Sequence, residues 1–139
     1  MITLTVDAKD DDLLQIVCSW VELLAQDKYD EAFAMLSYAP EEGWTPELVR
    51  SLVTNYGSLK PLADGRTFHV TSLHSNPALP EGRSQPYQDV EQWEERRDCI
   101  GWIHFDLPLN SEFSDLTAIF NIVKVGERLA LELHTIHVL

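Results

Sequence analysis

The closing stretch of the chain, residues 116–139, reads LTAIFNIVKVGERLALELHTIHVL. Two apolar runs rich in β-branched residues meet at Val125-Gly126-Glu127. Strands favour such residues, and a glycine between two of these runs marks a tight reversal, so the stretch predicts a terminal β-hairpin. Alternate residues of a strand face opposite sides. Leu129, Leu131 and Leu133 then form a core row, with Glu132, His134 and Ile136 on the other face. His137 continues the leucine row, so His134 and His137 point opposite ways and do not converge on one ion as metal ligands must. No metal centre is expected here; the polar residues read as the wet face of the hairpin.

Upstream, TFHVTSLH (67–74) and CIGWIHFDLPL (99–109) carry the same strand-like composition. In the second, Cys99, Gly101, Ile103, Phe105 and Leu107 fall on the core side, and Ile100, Trp102, His104 and Asp106 on the other. The connection over 75–98 is rich in proline and charge, with a short helix expected around Val90 to Arg96. A connection of that length in a small domain is a functional lid or a disordered insert.

Before residue 67 the period changes from 2 to 3.6. After a short strand at 2–6, Leu13, Leu14, Ile16, Val17, Trp20, Val21, Leu23 and Leu24 recur at helical spacing, and Asp10-Asp11-Asp12 complements the helix dipole at its start. Tyr29, Ala32, Phe33 and Leu36 give a second, shorter helix. Thr45-Pro46-Glu47 is a helix start, and Gly57 supplies a left-handed stop, which predicts a third helix over about 46–56.

Helices followed by an antiparallel sheet make an α+β domain, and 139 residues suffice for one core. With DKYDEAFAML after a long first helix and FNIVKVGERLALELHTIHVL at the end, the chain resembles the NTF2-like (ketosteroid isomerase-like, cystatin-like) superfamily. The resemblance implies N-terminal helices packed on a curved sheet of about four to five strands, forming a cone around a pocket. It does not imply one activity, because the superfamily spans isomerases, dehydratases, transport factors and toxin-neutralising proteins. Trp20, Tyr29, Tyr56, His69 and Asn121 are the residues expected to line the cone. None matches, position by position, the Asp base and Tyr/Asp oxyanion pair of the ketosteroid isomerases. His69 is a candidate general base, but with no identifiable partner it reads rather as a histidine satisfied in the core or at a sheet edge.

Lys and Arg number 10 against 23 Asp and Glu, a formal net charge of −13. That balance repels phosphate backbones and anionic lipid headgroups, excluding nucleic acid and membrane surfaces as partners, and suits a basic protein or a cationic small molecule. It also serves plain solubility. No run approaches the length of a membrane span, and Cys18 and Cys99 sit alone among apolar neighbours, so a reducing cytoplasm is the expected compartment. There is no phosphate loop, nucleophile elbow, zinc-helix motif or calcium loop, and no cofactor is called for.

Two functions from different classes fit. The first is a non-catalytic acidic binding module, in its specific form an immunity-like protein masking a basic partner; 11 acids against 3 bases in residues 1–50 would steer such an encounter. The second is a small-molecule isomerase, dehydratase or hydrolase working in the cone. A homodimer is also expected, through the sheet face carrying Trp102, His104, Glu132, His134 and Ile136, because these positions mix a large aromatic with polar partners as interface cores do.

Overall fold

The computed structural model describes residues 1–139, with three α-helices packed on one face of a curled, five-stranded antiparallel sheet. The chain starts with β1 (Leu4–Thr5), then α1 (Asp10–Ala25), α2 (Tyr29–Ala34) and α3 (Pro46–Thr54). It continues through β2 (Gln88–Arg96), β3 (Cys99–Leu109), β4 (Glu112–Val125) and β5 (Arg128–Val138). The order across the sheet is β1-β5-β4-β3-β2.

Local chemistry sets the element ends. The Lys9 backbone N–H donates to Asp12 at the start of α1, and Thr45 Oγ1 accepts from the Leu48 N–H at the start of α3, with Pro46 in the first turn. Gly57 closes α3 at φ 82°, its N–H bonding back to the Leu52 carbonyl. The three hairpins of β2 to β5 turn at Arg97-Asp98, Asn110-Ser111 and Gly126-Glu127. Both residues of the first two pairs have positive φ, the geometry that matches strand twist in tight hairpins.

The inner face of the sheet meets the apolar stripe of α1. Leu13, Val17, Trp20 and Val21 are fully buried there, and the Trp20 indole stands edge-on to Phe120 of β4, with ring centroids 5.1 Å apart. Ile103, Phe105, Leu116, Ile122, Leu129 and Leu131 complete the contact from the sheet.

Three expectations are corrected. Residues 67–74 are not a strand: only Val70 bridges to Leu109, and a 3₁₀ turn follows at Leu73–Ser75. Pro108 lacks an N–H, and the β3–β4 register shifts between Asp106 and Pro108, so this end of β3 offers no regular ladder to join. Residues 90–96 are not a helix but most of β2, because pairing of Gln88, Val90 and Gln92 with Phe105, Ile103 and Gly101 overrides the helical preference of a Glu- and Arg-rich run. Ile136 does not lie on the outer face. A bulge pairs Phe120 with Leu133 and Ile119 with Thr135, leaving His134 as the extra residue. Beyond it the alternation inverts, so Ile136 joins the core at 3% exposure while His137 is exposed.

Gly101 offers a direct check of the β2–β3 pairing. A Cβ there would overlap the backbone carbonyl of Glu91. Gly101→Ala is therefore expected to lower stability by about 1–3 kcal/mol, measured as a reduced urea midpoint; an unchanged midpoint would mean that β2 does not sit where described.

Candidate functional site

The expected cone-lining residues do not converge. Trp20 and Tyr29 are packed in the core. Tyr56, at the end of α3, donates its hydroxyl to Asp115 beside the last strand. His69 is exposed, held by its backbone exchanging hydrogen bonds with Asn110. Asn121 lies on the outer face and donates to Glu132 at 3.1 Å. Among the hollows near the surface, one of about 290 Å³ with a mainly apolar lining lies between Phe33, Tyr38, Trp44 and Leu133.

The outer face of the sheet gathers most of the remaining polar and aromatic side chains. Register places Glu91, Trp102, Asn121 and Glu132 in one row across β2, β3, β4 and β5. The neighbouring row holds Asp89, His104, Ile119 and Thr135. Trp93 stands edge-on to Trp102 at 4.9 Å, and the His104 ring is 5.2 Å beyond Trp102. Tyr87 closes this file, its ring 5.9 Å from His104 and its hydroxyl 3.2 Å from His104 Nδ1. Such edge and tilted contacts hold aromatic rings in fixed mutual orientation.

The field of this face is negative. Asp89, Glu91 and Glu132 form no salt bridge. The Tyr87 phenol is pushed above its ordinary value, first by burial and then by Asp89, Asp106 and Glu91 around it. Asp106 is 5% exposed, accepts from the Thr117 hydroxyl at 2.6 Å and lies 3.7 Å from the Arg83 guanidinium. Burial raises its carboxyl above the ordinary value, against the lowering pull of Thr117 and Arg83.

Of the residues expected at a sheet interface, Trp102, His104 and Glu132 share this face. His134 has turned to the sheet edge, with Nδ1 3.2 Å from Glu42 and its carbonyl accepting from the Trp44 indole. Asp89, Glu91 and Trp93 were missed with the strand that carries them, and Tyr87 with the residue that leads into it. The local sequence carries no clear alternation, since the inward positions are Gln88, Val90 and Gln92 and the outward ones Asp89, Glu91 and Trp93.

Tyr87 and His104 form a donor–acceptor pair, and the apolar hollow beside α2 does not border it. No group of three His, Cys, Asp or Glu side chains is arranged to hold a metal ion, and no helix is long and apolar enough to cross a membrane. The chain matches no protein-family model, no curated protein and no solved structure.

Asp106 gives this face a pH signature. Because its folded-state pKa is raised, the native state holds a proton that the unfolded state releases first, so stability falls as pH rises from the ordinary carboxylate range through the raised value. Asp106→Asn keeps the acceptor for Thr117 and abolishes that loss. Urea midpoints should shift in favour of the variant between pH 3.5 and pH 7; a variant-to-wild-type difference that stays constant would contradict the buried charge.

Proposed function

We propose that the chain is a non-catalytic acidic binding module, NTF2-like in type, that masks a basic protein in the manner of an immunity protein. The observation that carries this reading is where the polar groups lie. The inner side of the sheet is packed by Trp20, Phe120 and their neighbours, while aromatic and unpaired acidic side chains meet on the outer side. A reaction inside a cone needs an enclosed space with converging ionisable groups. The outer face instead suits a macromolecular surface of opposite charge.

A second copy of the chain is the competing occupant. Trp102, with 38% of its surface exposed, favours some cover for this face. A two-fold pairing, however, would set the face carrying Asp89, Glu91 and Glu132 against the same face of a second chain of charge −13. Burying unpaired carboxylates costs several kcal/mol apiece. A basic partner supplies the missing charge, and the two free thiols, Cys18 and Cys99, are compatible with work in a reducing cytoplasm.

The expected partner, purified with the chain from its native host, is basic. Stopped-flow association should slow by about tenfold or more between low salt and physiological ionic strength, where the Debye length is about 8 Å. An acidic partner, or an on-rate indifferent to salt, would contradict the reading.

A further inference from the structure

We infer that the aromatic file on β2 and β3 is a seat for an arginine side chain presented by the basic partner, an inference that rests on the binding-module reading above. Trp102 is the centre of the seat. Its row places Glu91 on the next strand to one side and Glu132 two strands away on the other, at strand spacings of about 4.8 Å. Trp93 and His104 pack against the indole, at 4.9 and 5.2 Å, and leave 38% of Trp102 exposed.

A cation over an indole is drawn to the ring face, and a planar guanidinium can stack there while its N–H groups reach a carboxylate. Lysine offers a point charge without that plane. Trp102 with Glu91 supplies both halves of such a site. No lysine or arginine occupies the two rows, so nothing of the chain's own neutralises it. Arg83 is the guanidinium that reaches this face, and it sits beside Asp106, 3.7 Å from the carboxylate. That guanidinium–carboxylate contact, two rows from Trp102, is the charged half of what an incoming arginine would find at Glu91. A second copy of the chain would bring more carboxylate and no added lysine or arginine from these rows.

The test is an NMR titration at low salt with a short capped glycine–serine peptide bearing one central arginine, alongside its lysine and citrulline counterparts. The arginine peptide is expected to bind most tightly and the uncharged citrulline peptide not measurably. Trp102→Ala should weaken the arginine peptide by about two- to fivefold, the worth of an exposed cation–π contact. Glu91→Gln, which preserves shape, should weaken it as well, and Trp44→Ala, in the hollow beside α2, should not. Equal binding of the arginine and lysine peptides, unmoved by Trp102→Ala, overturns the seat and leaves the acidic binding module standing. Failure of every cationic peptide to bind overturns both. A dimer in sedimentation that Trp102→Glu dissociates also overturns the seat, because the face is then a two-fold interface.

Discussion

The edge-on contact of Trp20 with Phe120 is the constraint from which the rest of the molecule follows. One indole, carried by α1, fills the curl of the sheet, and burying it removes a large apolar surface from water. The indole N–H is left without an acceptor, at a cost of about 1–3 kcal/mol for a buried unmet donor. With this side chain in place, α1 cannot lift from the sheet without opening the core, and the groups capable of recognition are displaced to the other side.

That displacement gives the negative charge a second reading beside solubility. Glu91, Glu94 and Glu95 lie along β2, the edge strand, where charge discourages other chains from adding to an open ladder. Glu95 is partly neutralised by Lys124 at 3.0 Å. Glu91, on the outward side with Trp102, is not. Protection of the edge explains the run along β2, but it does not explain why Glu132 on β5, in the same row as Trp102 and interior to the sheet, is also acidic and free of lysine or arginine.

Most of the fold was legible because the hairpin over 116–139 and the stripe on α1 have clean periods, and both bury one face. The failures have separate physical causes. Val90 to Arg96 carries strong helix formers, and only its partners on β3 make it a strand, a tertiary effect that local preference does not contain. The segment at 67–74 has strand residues but meets β3 where Pro108 and the register shift break the ladder. The bulge at His134 did leave a trace, since the apolar positions step by two from Leu129 through Leu133 and then by three to Ile136. Strict alternation put Ile136 outside for want of that one-residue correction. Trp102 and His104 were placed correctly because β3 keeps its alternation from Gly101 to Phe105, whereas Trp93 and Tyr87 depended on the strand that was not recognised.

The central claim, a closed interior behind a cation-attracting outer face, is tested most directly by labelling the chain with 5-fluorotryptophan and adding matched cationic and anionic nitroxide probes. Trp20, Trp44, Trp93 and Trp102 report on the core, the α2 hollow and the outer face in one spectrum. The account predicts that Trp102 is broadened far more by the cationic probe than by the anionic one, and that Trp20 is broadened by neither. Broadening of Trp20, which would mean an open interior, or equal broadening of Trp102 by both charges, would contradict it.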